Sequence, residues 1–168
     1  SGLMKGKKGL IMGLANDRSL AWGIARALGE QGAELAFSYQ GEALEKRVRP
    51  LAQELGSDML IDCDVSDMHA LDKAFAELKD KWEAMDFIVH AIGFSDKNEL
   101  RGKFVDTTVD NFLLTMNISV YSFIAVAQRA RAMMKPGGSM LTLTYYGAEK
   151  VIPHYNVMGV AKAALETS

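Results

Sequence analysis

The chain has 168 residues, a formal net charge of −2, and 49% hydrophobic against 24% charged residues, the balance of one soluble globular domain with a sizeable core. So small and mixed a charge leaves no footprint for nucleic acid. Cys63 is the only cysteine, which excludes an internal disulfide and a cysteine-rich metal site. His69, His90 and His154 are scattered singly, so no metal is expected. No apolar run is read as approaching the ~18–20 residues that span a bilayer. The N-terminal Ser-Gly-Leu-Met-Lys-Gly-Lys-Lys puts charge where a signal peptide needs apolar residues. The expected location is the cytoplasm, with no membrane partner.

In chain order, a first strand is expected over Gly9–Leu14 and a helix over Ser19–Gln31. The turn between them presents free N–H groups and a positive dipole end, which suits a pyrophosphate. Gly13 allows close backbone approach there, and Ser19 and Leu20 open the helix with Ser19 as its cap. The strict G-x-G-x-x-G is absent, so an ordinary capped turn remains equally open on local grounds. A second strand, Ala33–Tyr39, delivers Gln40 to the position where a dinucleotide fold usually carries an acidic residue for the adenosine ribose. Gln40 can bond ribose hydroxyls, and the absence of an adjacent Arg disfavours a 2′-phosphate. A helix over Glu42–Leu55 leads to a strand over Asp58–Cys63, with Asp64 and Val65 beyond it where adenine would lie. Cys63 reads as a small buried thiol, and Trp22 and Trp82 as packing residues within helical patterns.

A helix over Met68–Trp82 precedes a strand over Met85–Ile92, whose end, Ile92 and Gly93, would flank the middle of a cofactor. A long helix is expected over Thr108–Met134 and a fifth strand over Ser139–Tyr145. Strands alternating with helices argue for an α/β, doubly wound parallel sheet. The helical pattern after Pro153 has no capping residue when the sequence reaches Ser168. Residues 1–168 are therefore expected to form a single domain that is a fragment of a longer enzyme.

Tyr145 and Tyr155 lie ten residues apart, and Lys162 follows seven after Tyr155. Pro153 suits the first turn of a helix. From such a start, seven residues make about two turns and leave Tyr155 and Lys162 within roughly 20° on one face. A cation beside a phenol favours its polarised or ionised form, as a proton donor to an enolate requires.

Together, Gly13-x5-Ser19-x-Ala21, Ala-Glu-Leu-Ala-Phe-Ser-Tyr-Gln40, Asp62-Cys-Asp64-Val65, His90-Ala-Ile-Gly93-Phe-Ser and Tyr155-Asn-Val-Met-Gly-Val-Ala-Lys162 resemble the NADH-dependent enoyl-acyl-carrier-protein reductases from Met4 to Ser168. These are divergent members of the short-chain dehydrogenase/reductase family. The resemblance implies a Rossmann-like domain that lacks two C-terminal strands, and NADH as cofactor. It implies hydride delivery to C3 of a trans-2-enoyl thioester on acyl carrier protein, in bacterial type II fatty acid synthesis. Tyr155 would hydrogen-bond the thioester oxygen, and Lys162 would hold the nicotinamide ribose. Tyr145 would support the substrate and Ser95 would border the acyl site, while Tyr146 is read as packing. A homotetramer built on the last two helices is also implied, with Ala125, Ala161 and Ala164 allowing close approach.

Ordinary short-chain dehydrogenases place Lys four residues after the Tyr and Ser thirteen before it. Gly159 and Thr142 occupy those positions here. A short-chain dehydrogenase acting on a carbonyl, or an inactive dinucleotide-binding fragment, stands as the alternative.

Overall fold

Every apolar run named above becomes a parallel strand. The computed structural model describes residues 2–168. Among them five strands form one sheet in the order β3-β2-β1-β4-β5: β1 Lys8–Met12, β2 Glu34–Tyr39, β3 Leu60–Asp62, β4 Met85–His90 and β5 Met134–Thr142. Helices α1 Leu20–Glu30, α2 Glu42–Glu54 and α3 Met68–Lys81 connect the first four. Right-handed crossovers put α1 and α2 on one face and α3 on the other, since the chain reverses direction across the sheet after β3. This is the doubly wound, Rossmann-like arrangement expected from the alternation of elements. The chain divides into two compact units, the first running to Ala91 and including Ala127–Thr142, the second formed by Ile92–Val126 and Leu143–Ser168.

In the first unit, β1, β2 and β4 are buried on both faces, which explains their continuous apolar runs. Ile11, Phe37 and Val89 face Trp22, Ala25, Val48 and Ala52 in one cluster. Trp82 is also buried, its indole N–H donating to Glu34 at 3.1 Å. Cys63 is buried as expected, and burial pushes its thiol up to about 12. Asp86 gathers the lower ends of three strands: it accepts from the Lys8 N–H at 2.9 Å and sits 3.7 and 3.8 Å from the Lys7 and Lys135 amines.

The second unit holds α4 Lys97–Arg101, α5 Val109–Met116, the first part of α6 Ser122–Ala130, and α7 Val157–Thr167. Its apolar core is Val120, Met158, Ala161 and Leu165, flanked by Leu100, Met116, Phe123 and Tyr155.

Four expectations need correction. The long helix ends at Ala130 rather than Met134, and five residues, Asn117–Tyr121, form a π turn between α5 and α6. Strand β5 consequently starts at Met134 and bulges opposite Met85–Phe87 before settling into register at Ser139. The helical run Val109–Ala130 is, by length and composition, long and apolar enough to cross a membrane, contrary to the sequence reading. Finally, Pro153 does not open a helix. Residues 153–156 form a turn and α7 begins at Val157, because His154 (φ 63°) and Asn156 (φ 44°) are left-handed and cannot continue an α-helix.

Candidate active site and nucleotide cradle

In the second unit, Tyr155 precedes α7 instead of riding on it, so a shared helical face is not what relates it to Lys162. Its place is set by its surroundings. The Tyr145 and Tyr155 rings meet edge to face, 4.9 Å between centroids at 67°, an arrangement that the ring quadrupoles favour. Gly147 lies against the Tyr155 ring so closely that a Cβ there would overlap it. A Cβ on Gly159 would stand 2.7 Å from the Gly147 carbonyl and 3.7 Å from the Tyr155 ring. Two glycines thus make the seat for this tyrosine. The position where a carbonyl reductase carries its lysine is sterically closed to any side chain on this backbone.

Lys162 lies on α7, 9% exposed, with its amine donating to the Leu143 carbonyl at 2.9 Å. Burial lowers its pKa. The Cβ direction of Gly93 ends 3.4 Å from Met158 Cε and 3.8 Å from both Lys162 Nζ and Ser119 Oγ. Gly93 therefore borders the lysine amine, and a side chain there would fill the space beside it. Burial, followed by charge repulsion from the Tyr145 phenol group, raises the Tyr155 pKa. The expected drop from a neighbouring cation is not seen, so Tyr155 remains a protonated donor at neutral pH. Tyr145 is 49% exposed. Tyr146, read as packing, is 55% exposed on a 3₁₀ turn, because β5 has already ended at Thr142.

Ser95 is buried. Its hydroxyl accepts from Thr115 Oγ1 at 2.9 Å and from Asn111 Nδ2 at 3.1 Å. That hydroxyl is therefore engaged within the second unit. Ser119, in the π turn, accepts the Phe94 N–H at 3.0 Å and reaches the Phe94 carbonyl at 3.2 Å. Asn111 accepts the Asp96 N–H at 3.0 Å. These residues fix the backbone from Phe94 to Asp96. The sequence carried a trace of them in polar residues recurring along an apolar helix.

In the first unit, the strand-to-helix turn is built as expected in outline. Gly13 has φ 95°, and a Cβ there would overlap the Ala91 carbonyl, so only glycine fits. Ser19 stands at the N-cap, but its hydroxyl accepts from Ala15 and Asn16 N–H at 3.2 and 3.1 Å instead of capping α1. Among the described residues the N–H groups of Leu20 and Ala21 then have no protein acceptor, leaving the anion-binding end of α1 open. Leu20 itself is 74% exposed. Gln40 is exposed after β2, and the next residue's N–H, on Gly41, donates to Asp62 at 3.0 Å. The Arg49 guanidinium is paired with Glu45. Asp64 accepts from Ser66 N and Oγ at 2.9 and 2.7 Å, Val65 is buried beside it, and Ile92 is half-buried.

A parallel sheet of this strand order, with a glycine turn into an open helix N-terminus, defines a Rossmann-like domain. The sequence pattern of the family described as "Enoyl-(Acyl carrier protein) reductase" matches residues 13–168, and the chain belongs to that family. It is 66% identical over 168 residues to "Enoyl-[acyl-carrier-protein] reductase [NADH] 1" of Rhizobium meliloti, covering 100% of this chain and 62% of that protein. To the "Enoyl-[acyl-carrier-protein] reductase [NADH] FabI" of Rickettsia typhi it is 53% identical, covering 99% and 64%. The crystal structure of the Anaplasma phagocytophilum reductase in complex with NAD superposes with a TM-score of 0.96 at 58% identity, over 99% of this chain and 64% of that one. That of the Bacillus cereus reductase with NADP⁺ and an indole naphthyridinone gives 0.97 at 47% identity, over 100% and 66%. The chain thus spans a little under two thirds of the length of the first two relatives named.

Proposed function

We propose that the protein carrying this chain is an NADH-dependent enoyl-acyl-carrier-protein reductase of bacterial type II fatty acid synthesis, acting in the cytoplasm. The observation that carries the reading is the Tyr155 seat: Gly147 and Gly159 close around the ring, and the only nearby lysine of the motif is Lys162, three residues beyond the carbonyl-reductase position.

The first unit's residues fit a dinucleotide. Gly13 and the free N–H groups of Leu20 and Ala21 would take the pyrophosphate beside Ser19. Gln40 would bond the adenosine ribose, with Asp64 and Val65 along the adenine. In the second unit, Ile92 and Gly93 would border the cofactor, and Lys162 would turn its amine from the Leu143 carbonyl to the nicotinamide ribose hydroxyls. NADH, when bound, supplies a hydride to C3 of the enoyl thioester. Tyr155, protonated and half-buried, donates to the thioester oxygen, where negative charge develops as C3 is reduced. A pre-positioned donor of this kind contributes about 3–4 kcal/mol in a dry site. Lys162 adds positive charge on that side, and Tyr145 supports the Tyr155 ring from its edge.

Assembly belongs to the same reading. On the helical run Val109–Ala130 the polar residues Asn111, Thr115, Ser119 and Ser122 are buried, while Val109 and Leu113 are 73% and 60% exposed. Polar-in and apolar-out is the reverse of a solvated helix, so the outer face fits a subunit contact in a homotetramer. Ala125 and Ala161 are fully buried within the chain and cannot supply that contact as expected. Phe112, Leu114, Ile124 and Val160 are exposed and can.

The test is NADH oxidation by the protein at its relatives' full length. A trans-2-enoyl thioester should be consumed and a 3-ketoacyl thioester left untouched; turnover of the ketone alone would make it a carbonyl reductase.

A further inference from the structure

Tyr155 stands between two left-handed residues, His154 at φ 63° and Asn156 at φ 44°, ψ −124°. Non-glycine residues hold such conformations only where their surroundings over-determine them. For Asn156 the surroundings are visible. Its side-chain amide donates to the carbonyls of Glu99 at 3.0 Å, Leu100 at 3.3 Å and Gly102 at 2.9 Å. These carbonyls lie at the end of α4, where that of Glu99 also accepts the Gly102 N–H at 3.3 Å. The Glu99 carboxylate in turn accepts from Thr108 N and Oγ1, both at 2.8 Å, at the start of α5. Through its own backbone, Asn156 accepts the Gly159 N–H at 2.9 Å and so begins α7. The Asn156 side chain therefore ties the Tyr155 turn to α4, which Glu99 joins to the start of α5, while the Asn156 backbone opens α7.

We propose that Asn156 is the positioning residue for Tyr155: its amide, latched to three carbonyls, holds the strained turn that aims the phenol at the reacting oxygen. The inference rests on the enoyl-reductase reading. Gly147 and Gly159 confine the ring laterally, but the direction in which Tyr155 leaves the backbone is set by the turn. Without the amide, the turn can relax while the ring stays stacked on Tyr145, and the phenol oxygen shifts.

The experiment uses the full-length protein and Asn156→Gly, which tolerates φ 44° without strain and removes only the amide. The expected result is a fall in kcat of roughly 10- to 100-fold, as a misplaced catalytic group causes, with KM for NADH within about twofold. In a Tyr155→Phe background the glycine change should cost nothing further, since both act through one phenol. Asn156→Asp, which keeps the shape but turns an acceptor toward the three carbonyls, should fall as far as the glycine variant. Unchanged kcat, a parallel loss of NADH binding or of cooperative unfolding, or full additivity with Tyr155→Phe would overturn the proposal. A readout independent of turnover is the titration of Tyr155 by ¹³Cζ-tyrosine NMR. Asn156→Gly should move it down from its raised value toward that of free tyrosine, and an unmoved titration contradicts the proposal. Wild-type activity on the enoyl thioester separates a failure of the reaction reading from a failure of this one.

Discussion

Gly159→Ala sets two physical effects against each other in the first turn of α7. Alanine gains up to about 1 kcal/mol over glycine in a helix, less so near the N-terminus. Against this, the new Cβ would stand 2.7 Å from the Gly147 carbonyl oxygen, closer than side-chain carbons are found. Gly147 cannot retreat freely, because it already lies against the Tyr155 ring. Forced overlap of this kind costs about 1–3 kcal/mol, so the clash prevails and the net change is a loss of about 0–2 kcal/mol. With a urea m-value of about 1–3 kcal/mol/M, the midpoint should fall by roughly 0.5 M with the slope unchanged. Since relief of the clash must move Gly147 against Tyr155, kcat on an enoyl thioester should also fall, by about 10-fold. Urea unfolding by circular dichroism checks the first part and steady-state kinetics the second. A variant more stable than wild type with full activity would show that the seat around Tyr155 is not rigid, and the steric argument against a carbonyl-reductase lysine would fail with it.

Tyr155→Phe should lower kcat by roughly 10²-fold or more with little change in NADH affinity, whereas Lys162→Ala should weaken NADH binding; near-normal rates in both would remove the site. The same groups shape stability at alkaline pH. Lys162, with a lowered pKa, binds fewer protons folded than unfolded, so stability rises as pH climbs from that lowered value toward the ordinary lysine value. Tyr155, with a raised pKa, contributes stability that is present below the ordinary tyrosine value and lost as pH rises through the raised one. Lys162→Met and Tyr155→Phe should each abolish their own slope in pH-dependent urea unfolding, and a slope that survives its mutation refutes the assignment. Gln40, with Arg49 held by Glu45, predicts a higher kcat/KM for NADH than for NADPH; equal use would contradict it. Light scattering should find a tetramer at micromolar concentration, converted to smaller species by Leu113→Glu, and a stable wild-type monomer would refute the apolar-face argument.

What the sequence disclosed was governed by local chemistry. Strand positions followed from apolar runs; the ends of the first four shifted by a residue or two because the last residues of a run need not pair, whereas β5 begins five residues early, at Met134. Gly13 and Lys162 were legible as types, since a left-handed turn and a buried amine each narrow the choice of residue. The turn at 153–156 was not legible: Pro153 does favour a helix start, but Asn156 is held by carbonyls more than fifty residues away, which no local pattern announces. The hydrogen bonds that Asn111 and Thr115 make to the Ser95 hydroxyl were not legible either, because they are tertiary contacts across sixteen and twenty residues. The π turn at Asn117–Tyr121 leaves the apolar pattern almost intact, so it was read as continuous helix. The helix over Val109–Ala130 is legible in the sequence, but its interspersed polar residues break any continuous apolar stretch, so it does not read as a span.

The most direct test is where the hydride goes. The full-length protein, given NADH deuterated in the transferred position and a trans-2-enoyl thioester, should yield a saturated thioester with one deuterium at C3, as mass spectrometry and NMR would read. Deuterium found on a carbinol carbon, or none incorporated while NADH is oxidised, would contradict the account.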